Sequence, residues 1–266
     1  KNLAALENAE SAFAFSSGLA AIANILLLLK SGDHIISIDD VYGGTRRLFT
    51  KVFDRFGLEF SFINFVSGDD IKKHIRPNTK MIWIESPTNP LLKIVDIASV
   101  TSAAKKQKVL TVVDNTFATP YFQKPLDLGA DIVVHSATKY IGGHSDVVGG
   151  AIMVKDSQIS QQIKFLQNSV GAILSPFDSY SALKGIKTLS LRMQAHEASA
   201  KKIVEFLSTH QKVKKIYYPG LAAHPGHSIA KKQMSGFGGI ISFELVGDLK
   251  SGITFLESLQ IISIAE

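Results

Sequence analysis

The sequence predicts an α/β fold, a mostly parallel sheet flanked by helices, followed by the start of a smaller α+β C-terminal domain. Short apolar runs alternate with helical stretches as far as residue 154, which is strand–helix–strand connectivity. The runs at 35–38, 81–84 and 110–113 are mostly apolar rather than strictly alternating, as expected of strands covered on both faces. The unusual residues fall at strand ends: Gly18, Tyr42, Asn89 and Asp114, then Ser136, Thr138 and Lys139. Open parallel sheets bind ligands at that edge.

Strand 12–15 runs into Ser16-Ser17-Gly18 and a helix over 19–30 that Gly32 closes. A helix start after such a turn offers unpaired N–H groups and the positive end of the helix dipole to an anion; a plain N-cap is the competing reading. Strand 35–38 leads to Asp39-Asp40-Val41-Tyr42-Gly43-Gly44-Thr45 and a helix over about 46–56. Two glycines beside a tyrosine suit close backbone approach to a ligand, or an ordinary turn with Tyr42 as packing. Strand 60–65 and helix 69–75 follow. Strand 81–84 then ends in Glu85-Ser86-Pro87-Thr88-Asn89-Pro90, a polar loop fixed by two prolines. After helix 97–106, strand 110–113 ends in Asp114-Asn115-Thr116. An acid there is costly if buried and unpaired, so Asp114 either meets solvent or holds a cation.

The stretch 130–150 carries strand 132–134 and then Ser136, Thr138 and Lys139. In extended backbone, residues two apart share a face, so both hydroxyls can serve one phosphate while Lys139 points elsewhere. A lysine among small residues becomes a nucleophile if burial lowers its pKa; a solvated loop lysine is the competing reading. Strand 151–154 closes this region. Beyond it lie helices 157–168, 177–183 and 189–207, strand 213–217, and a loop rich in Pro, Gly and His from Pro219. A half-buried strand over 238–245, helix 251–258 and the start of a strand over 261–264 complete the chain. The change at 189 divides a cofactor-binding domain, 1–188, from a connecting helix and partial C-terminal domain, 189–266.

With 266 residues, 45% of them hydrophobic, the chain is globular, and it holds no apolar run long enough to span a membrane. It lacks cysteine, which excludes disulfides and thiolate chemistry and fits a reducing, cytoplasmic setting. The net charge of +6 is spread over lysine pairs such as Lys105-Lys106 and Lys201-Lys202, not a basic stripe, so nucleic acid is not an expected partner. No initiator Met or signal pattern opens the chain, and 262–266 reads as a strand cut short, so both ends are expected to be truncated.

A lysine, an upstream acid, two hydroxyls, a helix start and an aromatic ring are what pyridoxal phosphate requires. Its aldehyde takes a lysine, its ring nitrogen a carboxylate, its phosphate N–H and O–H donors, and its ring a stacking partner. The motifs Phe15-Ser16-Ser17-Gly18-Leu19-Ala20, Asp40-Val41-Tyr42-Gly43-Gly44-Thr45, Glu85-Ser86-Pro87-Thr88-Asn89-Pro90, Val113-Asp114-Asn115-Thr116-Phe117 and Ser136-Ala137-Thr138-Lys139-Tyr140, with Gly143-His144-Ser145-Asp146, resemble the cystathionine γ-lyase and γ-synthase branch of the Cys/Met-metabolism pyridoxal-phosphate enzymes.

The resemblance covers essentially the whole chain. It implies an aspartate-aminotransferase-like, type I fold, with Lys139 as the Schiff-base lysine, Asp114 as partner of the ring nitrogen and Tyr42 stacked on the ring. Gly18 and Leu19 supply backbone donors to the phosphate, Ser136 and Thr138 hydroxyls. Asn89 lies near the cofactor hydroxyl and the substrate carboxylate, Arg47 lies toward the substrate's far end, and Glu266, in Ile264-Ala265-Glu266, which resembles the start of the family's Ala-Glu-Ser-Leu-Gly-Gly segment, faces the substrate. Lys139, Tyr42 and Asp114 are the implied catalytic residues.

The implied reaction is α,γ-elimination of cystathionine to cysteine, 2-oxobutanoate and ammonia. Alternatives are γ-synthase chemistry on an O-acyl-homoserine and β-lyase cleavage. A homotetramer built from dimers with shared active sites is implied as well. The N-terminal arm of such enzymes has no counterpart before Lys1, nor most of the C-terminal domain after Glu266, so weak cofactor binding is expected of this stretch alone. Gly44 stands where methionine γ-lyases carry cysteine, which disfavours that activity.

Ser136-Ala137-Thr138-Lys139 also satisfies the Ser-x-x-Lys of a serine acyl-enzyme. That class adds Ser-Asp-Asn and Lys-Thr-Gly, whereas here Val147 follows Ser145-Asp146 and Leu189 follows Lys187-Thr188. The dinucleotide fingerprint G-x-G-x-x-G is absent after the first strand. His224 and His227 lack companion ligands, so no metal is expected.

Overall fold

The computed structural model describes residues 1–265. A sheet of seven strands forms the centre, built from β1 (Ser11–Phe15), β2 (His34–Ile38), β3 (Glu59–Ile63), β4 (Thr79–Glu85), β5 (Leu110–Asp114), β6 (Ile132–Ser136) and β7 (Gly150–Val154), in the order β1-β7-β6-β5-β4-β2-β3. Strands β2 to β6 pair parallel, and β7 runs antiparallel to both β1 and β6. This is the mostly parallel sheet that the continuous apolar strands predict. β2 and β7 are buried at every position.

Helices on this sheet are α1 (Asn2–Glu7), α2 (Gly18–Leu26), α3 (Gly43–Lys51), α4 (Gly68–Lys72), α5 (Ile97–Lys106), α6 (Thr119–Phe122) and α7 (Ser157–Val170). The largest side chains of the core, Trp83, Phe15, Phe49 and Phe65, lie between sheet and helices, with Phe49 stacked on Phe60 and edge-on to Trp83. After α8 (Pro176–Lys187) and α9 (Leu189–Thr209) the chain forms a second, two-stranded antiparallel sheet of β8 (Val213–Tyr217) and β9 (Ser242–Leu245), with α10 (His227–Gln233) between them and α11 (Leu249–Glu257) after. Among the described residues no helix is long and apolar enough to cross a membrane.

Several elements depart from the sequence expectation. The helix over 19–30 stops at Leu26, because Leu28 and Leu29 turn back onto carbonyls three residues earlier and Gly32 takes a left-handed φ of 87°. The helix over 46–56 begins already at Gly43, and its last turn, Phe53–Phe56, is a 3-10 helix. Of the strand over 238–245 only Ser242–Leu245 forms; Gly238 has a φ of 80°, which no strand tolerates. The Pro/Gly/His loop contains the short α10. Residues 261–264 form no strand: β-branched residues favour extended backbone, but a strand exists only where another pairs with it.

Candidate active site

β4 and β5 pair in register to their last residues, so Glu85 and Asp114 stand beside each other at the carboxyl edge of the sheet. Beyond them β5 pairs with β6, which carries the chain on to Ser136. A cavity of about 390 Å³ opens at this edge. Gly18, Leu19, Tyr42, Asn89, Asp114, Ser136, Thr138 and Lys139, separate in sequence, all line it.

The turn between β1 and α2 forms one wall. Ser17 caps α2 by accepting the Ala20 N–H at 3.0 Å, and the Ala21 N–H closes the first turn on the Ser17 carbonyl at 3.1 Å. Cap and anion site are therefore compatible, because the N–H groups of Gly18 and Leu19 have no acceptor within the helix. Glycine is required for this approach: a Cβ on Gly18 would lie 2.9 Å from the Ser136 Cβ, and one on Gly150 would lie 2.1 Å from the Ser17 carbonyl oxygen.

Tyr42 stands at the N-cap of α3, and its ring lies back over the helix start where a Cβ on Gly44 would come within 2.4 Å of it. The loop after β4 is tied to the same place, since Asp40 accepts from the Thr88 hydroxyl at 2.5 Å and the Leu91 N–H at 3.0 Å. These contacts bracket Asn89 and hold it at the cavity. Thr116 connects the other wall: its N–H donates to Asp114 at 3.0 Å, and its hydroxyl accepts the Ser136 N–H at 2.8 Å.

Two sequence expectations change here. Ser136 and Thr138 do reach one cavity, but not by strand alternation, since β6 ends at Ser136 and residues 137–142 turn. The Thr138 hydroxyl instead bonds the Gly149 main chain, donating to its carbonyl at 3.3 Å and accepting its N–H at 3.1 Å. Lys139 is exposed, so burial is not what distinguishes it. Its turn is braced from α9, where the Arg192 guanidinium donates to the carbonyls of Tyr140 at 2.7 Å and Gly185 at 2.9 Å. Burial in this cradle lowers the Arg192 pKa from its ordinary value.

Asp114 is partly buried, and burial raises its pKa above the ordinary aspartate value, opposed by its bonds to Thr116 and by His135. Glu85 is almost wholly buried. Burial first, and the charge of Asp114 second, push its pKa well above the ordinary glutamate value, against the N–H groups of Tyr42 and Asn89. His135 itself is buried against Glu7, its Nε2 2.6 Å from Glu7 Oε1, on a network that also includes Asn115.

Arg47 is exposed on α3 and does not line the cavity. Glu266 lies outside the described residues. Glu85, Ser17, Thr116, Phe117 and Ile240 line the cavity without having been singled out by sequence. Glu85 carries the signal used for Asp114, an acid directly after an apolar strand. Ile240 carries none, because it arrives from far along the chain.

An amine, a carboxylate, hydroxyls, a tyrosine and unpaired helix N–H groups thus share one cavity. That is a site for an amino-reactive, anionic, aromatic ligand. The whole chain, residues 1–266, matches the family model described as Cys/Met metabolism PLP-dependent enzyme. It is 53% identical over 261 residues to the cystathionine gamma-lyase of Bacillus subtilis (strain 168), covering 98% of this chain and 69% of that protein. It is 54% identical over 264 residues to a cystathionine beta-lyase of Lactococcus lactis subsp. cremoris (strain MG1363), covering 99% and 69%. The crystal structure of cystathionine gamma-lyase from Lactobacillus plantarum complexed with L-serine superposes with a TM-score of 0.96 at 49% identity, over 99% of this chain and 69% of that one.

Proposed function

The chain belongs to the Cys/Met metabolism pyridoxal-phosphate-dependent enzymes, and from that premise we propose that it cleaves cystathionine by α,γ-elimination, with water, to cysteine, 2-oxobutanoate and ammonia. The observation that carries this reading is the meeting of Lys139 and Asp114 in one cavity with a free helix start. The donor set fits the cofactor: the Gly18 and Leu19 N–H groups and the Ser136 hydroxyl suit its phosphate, joined by the Thr138 hydroxyl once it turns its hydrogen from the Gly149 carbonyl, while Asp114 suits its ring nitrogen, Tyr42 its ring face and Lys139 its aldehyde carbon. Glycine at 18 leaves open the space that a side chain would fill beside Ser136.

Pyridoxal phosphate, when bound, draws electrons from the α- and β-carbons of an amino acid. The chain's part is to place protons. Lys139 would hold the cofactor through its amine, and that amine, when free, would take the α-proton and serve the later transfer at the β-carbon. Asp114 keeps a proton on the ring nitrogen by its charge. Tyr42 places a hydroxyl at the leaving thiolate. Asn89 orients the substrate carboxylate; Arg47, outside the cavity lining, would meet only the far end of a substrate that extends out of it, and Glu266 would face the substrate.

A second reading, β-lyase cleavage, is favoured by near-equal identity to relatives of both names. The γ-synthase exchange on an O-acyl-homoserine with cysteine uses the same groups. Incubating the holoenzyme with cystathionine separates them: the γ-lyase reading predicts 2-oxobutanoate. Pyruvate in its place, or cystathionine formed from acyl-homoserine and cysteine without cleavage, would exclude it.

The domain division at 188/189 stands as part of this proposal, as does a cytoplasmic setting. So does a homotetramer of dimers with shared sites. It is supported by exposed Phe165, Phe177, Tyr180, Leu191 and Phe206 on α7 to α9, an apolar surface suited to a second subunit. Sedimentation is expected to give a tetramer, and a stable, active monomer would rule that assembly out.

A further inference from the structure

Glu85 belongs to no role assigned so far. It ends β4 beside Asp114, lines the same cavity and is only 5% exposed. Among the described residues neither acid takes part in an ion pair. Two carboxyl groups side by side in a poorly hydrated place resist ionising together, because the second charge meets the first. Glu85 also has a definite task, because its Oε2 accepts the main-chain N–H of Tyr42 at 3.0 Å. That bond fixes the start of α3 to the end of β4.

We propose that Glu85 is a positioning residue for the reaction, held in its neutral form, whose carbonyl oxygen seats Tyr42 while Asp114 remains the single negative charge at the floor of the cavity. The inference rests on the reading in which Asp114 meets the cofactor's ring nitrogen and Tyr42 its face.

The groups around the pair decide which acid keeps the proton. Glu85 meets the charges of Asp114 and of Asp40, on the loop after β2, and lies deeper than Asp114. The N–H groups of Tyr42 and Asn89 act the other way on it. Asp114 is favoured as the anion by Thr116 and by His135 on β6. Lys139 is the cation lining the same cavity. The direction of the Glu85 shift agrees with the assignment, since burial and Asp114 both raise it. A second negative charge at this point would meet the charges of Asp114 and Asp40, a repulsion that a neutral Glu85 avoids.

A neutral glutamic acid and glutamine have the same shape and the same carbonyl acceptor, whereas alanine leaves the Tyr42 N–H without one. The test compares the holoenzymes of wild type, Glu85→Ala and Glu85→Gln across pH by kcat/KM, by the visible band of the lysine-bound cofactor and by melting temperature. Glu85→Ala is expected to lose about 10²-fold in kcat/KM, the scale of a displaced catalytic group, with the visible band retained. Glu85→Gln is expected to recover at least about tenfold of that loss. Wild type should lose activity as pH rises through the raised Glu85 pKa, and Glu85→Gln should lack that limb.

The stability sign is the same. A group with a raised folded-state pKa stabilises below the unfolded value and ceases to do so as pH rises through the folded one, so wild type should melt lower relative to Glu85→Gln as the medium becomes alkaline. Glu85→Gln as impaired as Glu85→Ala, or Glu85→Ala within about threefold of wild type, overturns the proposal. If Glu85→Ala does not fold, an alkaline limb in Glu85→Gln at the wild-type pH overturns it alone. A visible band that survives Lys139→Ala sinks the cofactor reading instead, so the two failures are distinguishable.

Discussion

Lys139→Ala is expected to purify folded but without the visible absorbance of lysine-bound pyridoxal phosphate, and to turn over at least about 10³-fold more slowly than wild type. The size follows from the loss of two functions at once. In the proposed scheme the amine that holds the cofactor and the base that moves the α-proton are the same group, so no neighbour replaces one while the other remains. Stability should change little, because Lys139 is exposed and no core contact depends on it. Its turn is held by main-chain bonds and by Arg192, which alanine leaves in place. An absorbance spectrum of the purified variant and a product assay at saturating cofactor measure both effects. An unchanged visible band with wild-type turnover would remove Lys139 from the mechanism.

Asp114→Asn is expected to lower kcat/KM by about 10²- to 10³-fold, the scale at which a single fixed electrostatic partner acts on a reacting system. Asparagine keeps the shape of the residue and its bond to Thr116, but not the charge that, in the proposed scheme, holds a proton on the ring nitrogen. The pH dependence gives a second measure. Burial raises the Asp114 pKa, so in the cofactor-free protein its charge appears only as pH rises above the ordinary aspartate range. Affinity for a cationic ring nitrogen should therefore increase with pH through that raised value in wild type. The Asn variant should lack the increase. Titrating cofactor into apoprotein at several pH values reads this directly, and parallel affinity curves for the two proteins would refute the ring-nitrogen role.

Much of the site was legible because each motif closes a strand. Gly18, Tyr42, Asn89, Asp114, Ser136, Thr138 and Lys139 each follow a short apolar run, and in a parallel sheet every such run ends at one edge. Glu85 follows the same rule and could have been read the same way. Its neighbour was the missing knowledge: an acid at a strand end becomes unusual only when another acid pairs with it across the ladder. Thr138 shows the converse, since its place at the cavity depends on a turn and on Gly149 rather than on residue spacing.

Segments 238–241 and 261–264 misled for a related reason. Apolar alternation and β-branched residues describe what a segment favours, while a strand is decided by a partner's free N–H and C=O groups. Conversely, α10 was hidden in a loop-like sequence, where its Ala230 and the Met234 that follows it share a buried cluster with Ile94, Phe122 and Met193.

By itself the sequence determined the class of fold, the edge at which chemistry occurs and the lysine–aspartate pair, because strand length, apolar continuity and end residues are local properties of the chain. Only the tertiary structure decided which residues share a cavity, that Lys139 is exposed while Glu85 is buried, and that Glu85 and Asp114 stand side by side. Burial and proximity of charge are properties of the packed sheet, and they set which of two carboxyl groups can ionise.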